Sequence, residues 1–211
     1  MDYNLASLRQ RVQVDKLDDE EFDPDIVDRF INDTQREIFN QFELPFQEKI
    51  FQGSIPAGST MFQLPSDLAL TQYWSMAGVS NFNRGKMGWR DFIHANPDVQ
   101  NTQPGAPSYW TNYAGNILLD RPTDKDYTLT LFYIRKPKTL IENSDVPEIP
   151  EEFSELLVLG AFKRILERNE DFDLANEVEV EYQRILLQLV NRYGSRDADG
   201  PIIMKNMQRR G

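Results

Sequence analysis

The chain has no cysteine, which removes disulfides, thiolate catalysis and thiolate metal sites from its chemistry. It has a single histidine, His94. A histidine-rich metal site within one chain is thereby excluded. A Ser-His-Asp relay would have to run through that one residue, and no Gly-x-Ser-x-Gly elbow exists to partner it. His94 reads as an ordinary histidine of a loop or short helix. There is no Walker pattern and no Gly-x-Gly-x-x-Gly, so no phosphate cradle is encoded, and the two glycines of NRGKMGW (residues 83–89) read as a loop. No apolar run approaches the roughly 20 residues of a membrane-spanning helix. The opening MDYNLASLRQRVQVD interleaves charge with apolar residues where a signal peptide would have an apolar stretch. Synthesis in the cytoplasm, with no membrane partner, is expected.

Basic residues are also scarce: 23 against 34 acidic ones, a net charge of −11 over 211 residues. Tight nucleic-acid binding works by releasing counterions from phosphates through lysine and arginine, and so acidic a surface repels the phosphate backbone. Gripping DNA is disfavoured, although a wall past which DNA must slide would profit from that repulsion. The hydrophobic share of 40% and charged share of 27% are those of an ordinary folded protein.

Four helices are expected, at the two ends of the chain. Leu5, Leu8 and Val12 share one face of a short helix over Asn4–Val14. After the acidic link KLDDEEFDPD, Asp23 and Pro24 form an N-cap and first-turn pair. From Pro24 to about Glu43, Val27, Phe30, Ile31, Ile38 and Phe42 make a stripe interrupted by Thr34, and Pro45 ends it. A third helix starts at Pro150, with Phe153, Leu157, Ala161 and Ile165 in line, and its small pair Gly160-Ala161 predicts close approach by another helix. The fourth carries Leu174, Val178, Tyr182, Leu186, Leu189 and Tyr193, with Gly194 placed as a left-handed terminator.

Between Pro45 and Pro150 the apolar period shortens from about 3.6 to about 2. Expected strands are Lys49–Ser54, Thr60–Leu64, Gln72–Val79, Ser108–Tyr113, Asn116–Asp120 and Tyr127–Arg135, with a short helix near Trp89–His94. Both faces of Tyr127–Arg135 are partly apolar, which makes it a central strand. Ala114-Gly115 forms a tight reversal and RPTDKD (residues 121–126) a wider, exposed one, so Ser108–Arg135 is expected to be a three-stranded meander. The tail GSRDADGPIIMKNMQRRG holds Ile202, Ile203, Met204 and Met207, then Arg209 and Arg210. It reads either as a segment that docks on a partner or as an unfolded end that happens to carry four apolar residues.

No constellation selects a catalytic, cofactor or metal residue. DDEEFDPD (residues 18–25) has consecutive acids and none of the glycine and spacing of a calcium loop, so it reads as a solvated link. Two carboxylates for glycoside hydrolysis are available among so many acids, but no spacing picks a pair. Trp74, Trp89 and Trp110 would form a carbohydrate- or receptor-binding platform if exposed, and otherwise belong to the core of the β region.

The order of elements resembles that of the head-to-tail adaptor (connector) proteins of tailed bacteriophages, over about residues 5–193. FINDTQREIF (30–39) looks like that family's second helix. FQLPSD (62–67) is similar to its Tyr-x-Leu-Pro-x-Asp strand and turn, with phenylalanine replacing tyrosine. GAPSYW (105–110) is similar to its Gly-x-Pro-x-x-Tyr approach to a strand, with the tyrosine one residue early. YTLTLFYIRKPKTL followed by VPEIPEEFSELLVLGA resembles its return to the helices. The resemblance implies an α+β fold in which about four helices bundle and an antiparallel β subdomain is inserted between the second and third. With the change of period, that places the bundle in residues 1–45 and 146–194, the β subdomain in 46–145 and a docking tail in 195–211. It also implies a virion structural protein of the phage neck, with no enzymatic activity and no cofactor. Copies would form a ring, twelvefold in such proteins, between the portal above and a further neck or tail protein below. DNA would pass through the lumen without specific binding, and Ile202, Ile203, Met204, Met207, Arg209 and Arg210 would touch the portal. A carbohydrate- or receptor-binding virion module is the alternative.

Overall fold

A computed structural model describes residues 3–80 and 82–194. The chain divides into two compact units, one formed by residues up to Gln47 and from Lys136 onward, the other by Glu48–Arg135.

The first unit is helical. Asn4 caps α1 (Leu5–Gln10), accepting a hydrogen bond from the Ser7 amide at 2.9 Å, and the helix runs on as a π-helical stretch, Arg11–Lys16. Leu5, Leu8 and Val12 are fully buried along its face. Asp23 caps α2 (Pro24–Gln41) by accepting from the Asp25 amide, with Pro24 at the first position. Helix α2 stops at Gln41, ahead of Pro45. Phe42 is already extended, Leu44 turns into the core, and the buried Gln47 amide donates to the Phe39 carbonyl at 3.3 Å while accepting from the Leu44 N–H at 3.2 Å. A side chain thus occupies one of the carbonyls that a helix end leaves open.

Of the remaining long helices, which we number α4 (Ser154–Arg168) and α5 (Phe172–Tyr193), α4 packs against both α2 and α5, and all three contribute to one core. Every residue from Leu156 to Phe162 is buried, so α4 is covered on all sides. The small pair has the consequence expected of it. A Cβ added at Gly160 would lie 2.3 Å from Thr34 Cγ2, so glycine lets α2 and α4 approach. Thr34 itself is buried and donates to the Phe30 carbonyl at 2.8 Å. At the other end of α5, Gly194 has φ −79°, in the right-handed region. Its glycine serves close approach, since a Cβ would lie 2.5 Å from the Val190 carbonyl oxygen.

Residues 136–145, assigned to the β region by the change of period, lie with the helical unit. The physical reason is a pair of buried amides on α2. Asn32 donates to the Leu140 carbonyl at 2.9 Å and accepts from the Leu140 N–H at 2.8 Å, as a neighbouring strand would. Gln35 donates to the Lys138 carbonyl and accepts from the Glu148 N–H, each at 3.0 Å. Leu140 and Ile149 are thereby seated in the helical core.

The second unit contains two antiparallel three-stranded sheets. Strands β1 (Glu48–Ile55), β6 (Tyr127–Arg135) and β3 (Leu68–Met76) form one in the order β1-β6-β3. Strands β2 (Met61–Gln63), β5 (Asn116–Leu119) and β4 (Trp110–Tyr113) form the other in the order β2-β5-β4. The helix α3 (Trp89–Ala95) lies between β3 and β4 in sequence. The inner faces share one aromatic core: Trp74 and Trp110 have ring centroids 5.1 Å apart, Phe82 stacks on Trp110 at 5.6 Å, and Trp110 Nε1 donates to the Phe82 carbonyl at 2.7 Å.

Strand β6 is central, as its two apolar faces suggest, but the expected meander does not form. β4 and β5 pair through a two-residue turn in which Ala114 (φ 47°) and Gly115 (φ 76°) are both left-handed, the geometry of a tight hairpin. RPTDKD then crosses from one sheet to the other, and it does so against the equivalent crossing of residues 56–59. Thr123 is buried, donating through its hydroxyl to the Pro56 carbonyl at 2.6 Å, and the Gly58 N–H donates to the Thr123 carbonyl at 2.7 Å. The seven residues between β5 and β6 suffice to change sheets, which sequence periodicity within each strand does not reveal. Strand β3 starts at Leu68, earlier than Gln72, because register shifts at Leu68/Leu70 and Thr71/Tyr73 break its alternation.

Candidate functional site

The six tail residues assigned to portal contact, Ile202, Ile203, Met204, Met207, Arg209 and Arg210, lie outside the described residues. The tryptophans do not form a platform. Trp74 and Trp110 are buried in the β core, and Trp89, 46% exposed, rests on Tyr113 with ring centroids 5.4 Å apart.

Among the described carboxylates Asp120 alone is fully buried, and it is structurally occupied. It accepts from the Ser108 N–H at 2.9 Å and pairs with Arg121 at 3.2 Å, holding the start of GAPSYW's strand to the end of β5. No second described carboxylate is buried as Asp120 is. No group of three or more His, Asp or Glu there is placed to hold a metal ion. An open depression of about 370 Å³, lined by Gly78, Arg84, Gly85, Pro107 and Tyr109 among others, carries one cation and no carboxylate. His94 is exposed near the end of α3.

The aspartate of FQLPSD has a clear structural task. Asp67 accepts from Tyr133 Oη at 2.9 Å and from Lys49 Nζ at 2.8 Å, so the turn before β3 is tied to both β6 and β1. Partial burial works to raise the Asp67 pKa, but these two hydrogen bonds outweigh it and hold the carboxyl below its ordinary value. Leu64 of the same motif is buried, and its N–H donates to the Gly115 carbonyl at 2.9 Å. The motif is a clasp between the two sheets.

Three surfaces remain. The first is a preorganised loop of the helical unit. Asp145 accepts from Lys138 Nζ at 2.6 Å and from the Ile141 and Glu142 amides at 2.8 and 2.9 Å, which lowers its pKa to about 2. The Asp145 and Asn143 carbonyls in turn accept from the first two amides of α1, and the loop presents Ile141 and Val146 to solvent. The second is charge. Residues 48–135 contain seven acidic and seven basic side chains, so the whole surplus of eleven acids belongs to the rest of the chain. Nine of the twelve lysines and arginines in the described helical unit pair with an acid, among them Arg9–Asp28 at 2.6 Å, Arg164–Glu37 at 2.5 Å, Lys163–Glu179 at 2.7 Å and Arg11–Glu155. The acids left over set the sign of its surface.

The third surface is the outer face of the β1-β6-β3 sheet. Register places Ile50, Phe132 and Tyr73 in one row across the three strands, and Gln52, Thr130 and Ser75 in the next. Ile50 is 60%, Tyr73 50% and Phe132 36% exposed, with Phe132 and Tyr73 rings edge to face at 6.1 Å. The alternation of β6 separates its two faces in the sequence but does not say what the outer one contacts. The signal was present in its uncharged run Thr128, Thr130, Phe132.

A helical body with an inserted β unit, and a motif aspartate that ties the turn before β3 to β6 and β1, stand beside a match of residues 3–205 to the family model described as SU10 adaptor protein. The chain belongs to the SU10 adaptor protein family. No curated protein matches it significantly. The adaptor is thus a phage adaptor-type structural protein of the virion neck, where interaction with other neck proteins is its business. No helix among its described residues is long and apolar enough to cross a membrane.

Proposed function

We propose that this adaptor acts by assembly and has no enzymatic activity: copies close into a ring, twelvefold, beneath the portal, hold the next neck or tail protein below, and leave a conduit through which DNA passes. The observation that carries this reading is the division of charge. An acidic wall repels the DNA backbone and lets it slide without adhering. The surplus acids reside in the helical unit, which supplies the acidic surface such a wall requires. In a closed ring each subunit presents two different complementary patches to its neighbours. The tail, with Ile202, Ile203, Met204 and Met207 followed by Arg209 and Arg210, has the composition of a segment that buries apolar groups on a partner and adds cationic contacts, and the portal is the partner assigned to it.

The test is the mass of the purified adaptor alone and mixed with its portal, followed by imaging. A ring that appears with the portal is the expected result, and a monomer before mixing is compatible with it. An adaptor that stays monomeric in the presence of its portal overturns the reading. Deleting residues 195–211 is expected to abolish portal binding while leaving the helical and β units folded.

A further inference from the structure

We infer that the outer face of the β1-β6-β3 sheet is the surface through which one copy of this chain meets the next. The inference rests on the ring reading above and deepens it by naming the contact.

The first support is the chemistry of the face. The two adjacent rows, Ile50-Phe132-Tyr73 and Gln52-Thr130-Ser75, hold no charge at all, in a chain of which 27% is charged. The apolar row is well exposed and includes two aromatic rings. Depletion of charge together with enrichment in aromatic residues is what marks the centre of a protein interface. The outer side of α5 makes a useful contrast. Val180 and Leu187 are also exposed there, but the paired charges Glu181 and Arg184 stand between them, and desolvating these would be costly.

The second support names the occupant. Copies of a chain with net charge −11 repel one another, and closing many of them into a ring multiplies the repulsion. A contact made through residues 48–135, where acids and bases balance, brings no net like charge together. A basic partner would be selected by the acidic helical unit and would find nothing to recognise on this face. A neutral, partly aromatic sheet face on an acidic chain therefore fits another copy of the same chain. Because a ring interface is heterologous, the face packs on a different patch of its neighbour.

The test uses the full chain with benzoylphenylalanine placed at Phe132, irradiated after assembly with the portal. The expected product is an adaptor–adaptor crosslink at twice the chain mass. Crosslinks to the portal alone, or none while rings are present, would overturn the inference and leave the ring reading standing. If the unmodified adaptor forms no ring with its portal, the ring reading falls and this inference with it. A second variant guards against a folding artefact. Gln52→Glu with Ser75→Glu places charge in the second row, at exposed Gln52 and half-buried Ser75, and should reduce ring yield about tenfold or more with the monomer's circular dichroism unchanged. Undiminished ring yield from that variant counts against the inference.

Discussion

Residues 48–135 carry equal numbers of acidic and basic side chains, whereas the helical residues on either side of them in sequence hold the entire surplus of acids, and the two units are held together by different means. The helical unit combines an aliphatic core with ion pairs between helices and with amide clamps that fasten a returning segment to α2. The β unit relies on a compact aromatic cluster around Trp74 and Trp110, with Thr123 fastening together the two crossings between its sheets and Asp67 tying the turn before β3 to β6. Charge is used inside the first unit and nearly excluded from the outer sheet face of the second. The lesson is that a net charge belongs to a place: the −11 of the whole chain describes neither unit's contact surfaces until it is divided between them.

The largest effect that would probe this contrast is in the aromatic core. Trp110→Ala should cost about 3–5 kcal/mol, because it empties the centre of the cluster and leaves the Phe82 carbonyl without its indole donor. Hydrogen exchange during chemical denaturation should show residues 48–135 losing protection while α4 retains it. Loss of protection in both units together would mean that they fold as one.

Asn32→Ala tests the amide clamp of the other unit. Both backbone groups of Leu140 lose their partner in a buried site, at a cost of about 1–3 kcal/mol. Denaturation should register the loss, and exchange at Leu140 should accelerate. Gly160→Ala comes next. The added methyl meets Thr34 at 2.3 Å, and strain of about 1–3 kcal/mol is set against a gain of roughly 1 kcal/mol in helix propensity. The net loss should shrink when Thr34→Ala is combined with it, leaving only the Thr34 Cβ at 3.0 Å from the added methyl, a coupling that a double-mutant cycle reads directly.

How much of this was legible in the sequence depends on how far apart the partners lie. Helix stripes are local, and Leu5, Leu8, Val12, Val27, Ile31, Ile38, Leu157, Ala161 and Ile165 are all buried, as their spacing requires. The Gly160-Ala161 pair correctly announced a close helix contact, though not that Thr34, read as an interruption of the stripe, was its other half. Asn32 and Gln35 look like solvated positions of a helix, and their partners lie more than a hundred residues away, so the clamp and the return of 136–145 to the helices were invisible. Strand existence followed from the period of two, but strand pairing did not. The hairpin at Ala114-Gly115 is a local event and was seen, whereas the crossing of RPTDKD between sheets depends on residues 56–59 and was not. The assigned portal contacts of the tail lie beyond Gly194, outside the described residues.

Two smaller effects sharpen the comparison further. Ala114 holds a left-handed conformation at φ 47° that L-residues adopt at a cost. Ala114→Gly should stabilise the β unit by up to about 1 kcal/mol, measured as a shift of its unfolding midpoint, and should leave the helical unit unchanged. In the helical unit, the depressed Asp145 carboxyl contributes fully to stability above its ordinary pKa of 3.8, and the contribution is lost as pH falls through about 2. A nuclear magnetic resonance titration of Asp145 should therefore inflect near pH 2, with slow exchange of the Ile141 and Glu142 amides persisting down to about pH 3. An inflection near the ordinary value would show that the loop is not held as described.

The central claim, that this adaptor closes a ring whose acidic helical unit faces DNA while its neutral β unit joins neighbouring copies, is tested most directly by electron cryo-microscopy of the adaptor bound to its portal. The account predicts a closed ring with acidic residues of the helical unit around the channel and the Ile50-Phe132-Tyr73 row buried between subunits. A channel lined mainly by lysine and arginine, or an outer sheet face left in solvent, would contradict it.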